Sequence, residues 1–331
     1  MWERHSSRSS RRSLLAALVF VSVAGLCAQT PAAGRPPGLV RVVVGYAPGG
    51  SLDTIARLAA AEMATTLGCT VIVENRPGAN GNIAAEYVAR AAPDGSVMLA
   101  TFNTHPLIAA LYPNLKFDPV AGFRPVGMIA QTPYVLVARP DLPGETLPQV
   151  IAAARSTGRV LSYATVGAGS PQHLGIERLK ASSHLAVTVV HYKGGAPAQQ
   201  DVQGGNVDMM LSTVALALPQ VQAGKLKALA VSSSQRLTAL PQVPTLHESG
   251  SADFVGDGWF GLLLPAKTPD AVAQHYNEAL NRALATPHLR QALAQLGAKP
   301  AGSAAQTMEA RMAKEREIWT RVIRAIGIKP E

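Results

Sequence analysis

Charge, aromatic rings and cysteine are all scarce in this chain of 331 residues. Charged residues make up 15% against 47% hydrophobic, which excludes a disordered chain and calls for a folded, well-filled core. Aromatics at 5% argue against a surface of stacked rings for single-stranded nucleic acid. Lys and Arg are scattered, with no run of five or more like charges and no nucleic-acid motif, so no nucleic-acid partner is expected. There is no G-x-x-x-x-G-K-[ST] loop and no H-x-x-x-H or H-E-x-x-H spacing, so neither a phosphate loop nor a metal site is expected. Gly167-Ala168-Gly169 imitates half a dinucleotide fingerprint, but Gln172 stands where the third glycine belongs. No cofactor is expected.

What is present begins with an export signal. Arg4, Arg8, Arg11 and Arg12 precede an apolar run from Leu14 to Ala28, and small residues and proline follow through Gly38. Residues 1–28 are read as a signal peptide, with a cut as late as 33 as the alternative. Ser10-Arg11-Arg12-Ser13-Leu14-Leu15 suits a twin-arginine signal as well as an ordinary one. The location is then the periplasm. Cys27 leaves with the signal, and Cys69 alone cannot form an internal disulfide.

From Leu39 the chain alternates strand-like and helix-like segments. Leu39–Tyr46, Val71–Glu74 and Val97–Thr101 read as strands around helices Leu52–Leu67 and Asn82–Ala91, the βαβαβ order of a parallel sheet. A second cycle runs from Val126–Ile129 and Tyr134–Ala138 to Ser232. Trp259–Leu264 reads as a strand returning to the first unit, followed by helices to residue 325. Two α/β units with the first one discontinuous imply two lobes around a cleft. The boundaries read as 39–138 and 252–331 for lobe 1, and 139–251 for lobe 2.

Three strand ends carry one device: a Gly/Pro/Ser turn entering a helix N-terminus, at Gly45–Ser51, Thr165–Pro171 and Tyr192–Pro197. Helix N-termini present unpaired N–H groups and a positive dipole end, and glycine lets a ligand approach the backbone. Such turns bind anions without a basic side chain. They also serve as ordinary tight connections, and only their number points to a site. Candidate ligand residues are Tyr46, Pro48, Gly49, Gly50, Ser51 and Asp53 in the first turn. Thr165, Gly167, Gly169, Ser170 and His173 follow in the second, and Gly194, Gly195 and Ala196 in the third. Asn103, Thr104 and Thr213 are added from strand ends.

These turns belong to a longer ordered series. It includes Gly45-Tyr46-Ala47-Pro48-Gly49-Gly50-Ser51-Leu52-Asp53, Val73-Glu74-Asn75-Arg76-Pro77-Gly78-Ala79-Asn80-Gly81, and Ala91-Ala92-Pro93-Asp94-Gly95. Gly167-Ala168-Gly169-Ser170, His191-Tyr192-Lys193-Gly194-Gly195-Ala196-Pro197 and Trp259-Phe260-Gly261-Leu262 continue it. The series resembles the Bug family, the TctC-like extracytoplasmic solute receptors of tripartite tricarboxylate transport systems, over nearly all of residues 39–328. The resemblance implies a two-lobed periplasmic binding protein of type II-like fold, with hinge strands and an interlobe cleft. It implies that the Pro48–Ser51 and Gly167–Ser170 loops grip a small carboxylate from opposite lobes, partly through water. It also implies delivery to membrane permease subunits or to a sensor, by a monomer without catalytic activity. Thr213 departs from the amide or acid common in the family, and Asn103-Thr104-His105 is less typical.

Several residues keep two readings. Asp53 is either counter-ion to a ligand amine or partner of its own helix end. Ser170, before Pro171, caps a helix, contacts the ligand, or does both. Ser170 and His173, three residues apart, also allow a periplasmic hydrolase as the alternative function, though the surroundings are no G-x-S-x-G elbow. Tyr46, Asn103, Thr104 and Thr213 are neutral, which favours a ligand with an uncharged or aromatic tail over a second strong acid.

Overall fold

The computed structural model describes residues 1–2, 38–112, 114–251 and 256–325. The signal-peptide reading, apart from its first two residues, lies outside the described residues, as do 252–255 and 326–331 at the edges of lobe 1.

The chain opens on β1 (Leu39–Val44), α1 (Ser51–Leu67), β2 (Thr70–Asn75), α2 (Asn82–Ala89) and β3 (Val97–Phe102). Apolar residues at helical spacing, from Leu52 through Ile55, Ala56, Ala59, Ala60 and Met63, bury one face of α1 on the sheet. Gly68 in the left-handed region ends that helix. The long β4 (Phe123–Thr132) then runs through Pro133 into β5 (Tyr134–Ala138).

The second unit comprises α3 (Leu147–Thr157), β6 (Leu161–Thr165), α4 (Pro171–Ser183), β7 (Val187–His191), α5 (Gly195–Gln203), β8 (Met209–Thr213), α6 (Val214–Gln222) and β9 (Lys227–Val231). The chain returns through β10 (Gly258–Pro265) and ends on α7 (Asp270–Ala285), α8 (Pro287–Gln295), β11 (Lys299–Pro300) and α9 (Ala305–Ala325).

Two sheets result, ordered β11-β4-β10-β3-β1-β2 and β7-β6-β8-β5-β9. β1 pairs in parallel with β2 and β3, and β6 with β7 and β8, as the strand–helix alternation requires. β10 inserts antiparallel between β3 and β4, closing the first sheet from the far end of the sequence. β5 pairs antiparallel with β8 and β9, so Tyr134–Ala138 belongs to the second sheet. Val126–Ile129, read with the second cycle, belongs to the first sheet, and the change of sheet falls at Pro133 and not after residue 138, because β4 pairs with β10 while β5 pairs with β8 and β9. Each sheet is backed by its own buried apolar clusters. Among the described residues no helix is long and apolar enough to cross a membrane.

Candidate functional site

Two adjoining cavities open between the lobes. The first spans about 530 Å³ of non-atom space, the solvent at its mouth included. Helix α1 enters it with Gly50, Ser51, Leu52 and Asp53, α5 with Gly195, and the β8–α6 junction with Thr213 and Leu216. Phe102, Tyr134, Val166, Met210, Trp259 and Phe260 supply most of its wall, and Asn103, Gln172 and Ser212 its remaining polar lining. The second cavity, about 550 Å³, is bounded by the 78–81 loop, Tyr112, Gly167, Ala168 and residues 191–193. Tyr46 and Val166 line both.

Two helix N-termini meet in the first cavity. A Cβ placed on Gly50 would lie 3.9 Å from the amide nitrogens of both Gly195 and Ala196. The first-turn amides of α1 and α5 have no partners within their helices, so two partial positive ends face one space. At α6 the first two amides are engaged, Val214 N–H by Pro133 O (2.9 Å) and Ala215 N–H by Thr132 Oγ1 (3.3 Å).

Ser51 is not the cap of α1. The N-cap is Gly50 in extended geometry, with no side-chain cap, which leaves the Ser51 hydroxyl on the cavity wall. The first turn is held instead by Asp53, whose carboxylate accepts from Gly49 N–H (2.9 Å), Asn75 Nδ2 (2.8 Å) and Arg57 (3.0 Å). Burial alone would raise the Asp53 carboxyl. The hydrogen bonds from Arg57, Gly49 and Asn75, with the Arg57 charge, outweigh it and hold the group below the usual carboxylate range. Asp53 is thus engaged by its own loop.

The second turn is arranged differently from the first. Ser170 Oγ accepts from His173 N–H (3.3 Å), and His173 Nδ1 accepts from Gly169 N–H (2.9 Å). The His173 ring stands edge-on to His191 and 3.8 Å from Glu177. Serine and histidine hold this turn together and are not assembled as nucleophile and base. Leu111 Cδ1 lies 1.6 Å from where a Cβ on Gly169 would sit, so that glycine is packed against lobe 1. Thr165 Oγ1 shares a 2.5 Å contact with His191 Nδ1 and accepts from Gly167 N–H.

Of the sequence candidates, Tyr46, Gly50, Ser51, Asp53, Asn103, Gly195 and Thr213 come together in the first cavity, and Gly167 with Tyr46 in the second. Pro48, Gly49, Thr104, Thr165, Gly169, Ser170, His173, Gly194 and Ala196 line neither. Gly194 and Ala196 pack on Ala47 and Gly49. The sequence reading missed Gln172, Ser212, Leu216 and the β10 residues Trp259 and Phe260. Among the described residues no group of three His, Cys, Asp or Glu gathers as a metal site.

Direct hydrogen bonds cross between the lobes here, beside that from Ala215 to Thr132. Ala47 N–H donates to Lys193 O (3.0 Å), Asn80 Nδ2 to Ala168 O (2.9 Å), and Tyr134 Oη to Asn103 Oδ1 (3.0 Å). Tyr46 Oη donates to Asn80 O (2.9 Å) and Oδ1 (3.0 Å), fixing that asparagine. Burial pushes the Tyr46 and Tyr134 hydroxyls well above the ordinary phenol range, so both remain donors.

A cleft of this kind, between sheets joined by crossing strands, is what solute receptors use. Residues 55–328 match the family model for the tripartite tricarboxylate transporter family receptor, TctC. The chain belongs to that family. It is 32% identical to protein BugT of Bordetella pertussis over 313 residues, covering 94% of this chain and 96% of BugT. The structure of the periplasmic binding protein BugD superposes with a TM-score of 0.85 at 32% identity, over 89% of this chain and all of BugD. MatC of Rhodopseudomonas palustris with bound malate gives a TM-score of 0.81 at 35% identity, over 86% and 98% of the two chains. The receptor is a two-lobed periplasmic solute-binding protein and not an enzyme.

Proposed function

We propose that this receptor closes its lobes on a small organic carboxylate, held chiefly by the facing N-termini of α1 and α5. The observation that carries the reading is the approach of Gly50 to the Gly195 and Ala196 amides in a cavity lined by no Lys, Arg or His. Anion affinity there comes from backbone amides and neutral side-chain donors. Each helix end adds about 0.3–1 kcal/mol when exposed and up to about 2 when partly buried. Charge-assisted hydrogen bonds from the same amides add about 1.5–3 kcal/mol each. The malate bound to MatC supports a carboxylate as the ligand class. Residues 1–28 or 1–33 would direct export, and the mature monomer would hand its ligand to transporter membrane subunits or to a sensor.

The test is thermal denaturation of the exported chain with malate, adipate, hexanoate and phenylacetate. A ligand at a hundred times its Kd stabilises by about 2.7 kcal/mol, a rise of several degrees in Tm for a chain of this size. A panel of small carboxylates that leaves a folded, solute-free sample unshifted would remove the carboxylate reading.

A further inference from the structure

The first cavity carries one charged lining side chain, Asp53, already engaged by Arg57, Asn75 and Gly49. The two helix ends can neutralise one carboxylate. Nothing in this cavity can neutralise a second, and an ion stripped of water without a counter-charge is strongly disfavoured. Most of the remaining wall is apolar: Phe102, Val166, Met210, Leu216, Trp259 and Phe260.

Two lining groups break that apolar surface. Gln172 and Thr213 are 5% and 7% exposed, and Gln172 Oε1 and Thr213 Oγ1 have no hydrogen-bond partner among the described residues. Buried polar atoms are nearly always paired, so two on residues that line one cavity require explanation. Both belong to neutral groups: an amide that accepts and donates, and a hydroxyl that does the same. Neither is a substitute for a cation. Both match a hydroxyl or carbonyl on a ligand.

We infer that the ligand is a monocarboxylic acid with an apolar body and one neutral hydrogen-bonding group, read by Gln172 and Thr213. This rests on the carboxylate reading above and narrows it. The carboxylate sits between Gly50 and Gly195, the body lies along Phe102, Trp259 and Phe260, and the neutral group meets the glutamine and threonine. His191 and Lys193 line the second cavity, on the other side of Tyr46 and Val166. A diacid long enough to pass Tyr46 would reach them, so chain length is a variable of the test.

The test is calorimetric titration of the exported chain, freed of bound solute, with hexanoate, 6-hydroxyhexanoate, adipate, suberate, phenylacetate and 4-hydroxyphenylacetate. At least one monoacid should bind ten times or more tighter than adipate and suberate, and its hydroxylated form tighter still. Tightest binding by adipate or suberate would overturn the inference and leave the carboxylate reading standing. Silence from all six with binding of malate would do the same. Silence from malate as well would end both.

Variants give a second, independent reading. Gln172→Leu with Thr213→Val should bring the affinity ratio of hydroxylated to plain acid down towards one, and Gln172→Lys should improve adipate at least tenfold. An unmoved ratio in a folded double variant would remove Gln172 and Thr213 as the readers and overturn the inference.

Discussion

Gly50→Ala isolates the backbone grip, because the structure allows the methyl group in the fold but not beside a ligand. Gly50 has φ −74° and ψ 166°, extended geometry open to any residue. The added Cβ would meet Ala47 O at 3.7 Å and the Gly195 and Ala196 nitrogens at 3.9 Å, all ordinary contacts. Replacing glycine at such a position narrows the unfolded chain's freedom, worth about 0.4–1 kcal/mol in favour of folding. The empty variant should therefore melt at or slightly above the wild-type temperature.

Its binding should collapse. The methyl stands over the two α5 amides, where the carboxylate oxygens belong. Displacing one oxygen forfeits about 1.5–3 kcal/mol of charge-assisted hydrogen bonding and about 1 kcal/mol of helix-end attraction. A total near 3–4 kcal/mol corresponds to a hundredfold to thousandfold rise in Kd. Calorimetry with the tightest-binding carboxylate measures this directly. Trp259, buried on the cavity wall, gives a parallel fluorescence signal. A Gly50→Ala protein that binds within threefold of wild type would refute the α1–α5 grip.

Ser170→Ala should cost about 1 kcal/mol of stability through the lost cap, while Kd stays within threefold, since Ser170 lines neither cavity; urea denaturation and calorimetry read the two effects. Asp53→Asn should destabilise by about 2 kcal/mol at pH 7 through weakened charged hydrogen bonds. Asp53 titrates lower folded than unfolded, so its stabilisation is complete above the unfolded pKa and fades as pH falls through the folded one; the gap between variant and wild type in denaturation should narrow steadily as pH is taken below 4. Burial pushes His105 down to about 4, and its Nε2 has no hydrogen-bond partner among the described residues. Its neutral form therefore stabilises fully above about pH 6.5, and about 3 kcal/mol is lost between there and pH 4. His105→Leu should lose that much less on acidification, as measured by denaturation at pH 7 and pH 4.

Much of the fold was legible because the elements agree with their own periodicity. The apolar stripe of α1 and the Gly68 stop are both plain in the sequence. So is the Ser170-Pro171 start of α4. Helix α6 was not legible. It follows β8 without a turn residue, and Pro219 lies inside it. Its start depends on Pro133 and Thr132, whose oxygens accept the Val214 and Ala215 amides from more than eighty residues away. The lobe boundary was drawn on the wrong side of β5 for a similar reason. A buried apolar strand carries no mark of which partners it will choose, and here β8 and β9 decide.

The site was legible in kind more than in detail. Glycine turns before helices pointed to a backbone grip, yet the turn at Gly167–Ser170 closes on itself through Ser170 and His173. What distinguishes it from the turn at Gly50 is the orientation of one side chain. Ser51 begins α1 without capping it, whereas Ser170 caps α4. Both are serine at the entrance to a helix, and residue identity alone does not separate them. Trp259 and Phe260, read as part of a strand, are buried core residues. They also form cavity wall, a role visible only once β10 inserts between β3 and β4.

A grip made of helix ends also supplies a reason for the lobes to move. With the site empty, two ends of about half a positive charge each face one another across the cavity, and closure is opposed. The bonds from Ala47 to Lys193, Asn80 to Ala168 and Tyr134 to Asn103 favour closure, each by about 1 kcal/mol. An anion between the helix ends turns their repulsion into shared attraction. That differential affinity for the closed form is what a ligand needs to shift the equilibrium. A lysine or arginine in the same place would not reverse sign in this way against a second cation-free lobe. It would bind the anion from one side and leave closure to other contacts.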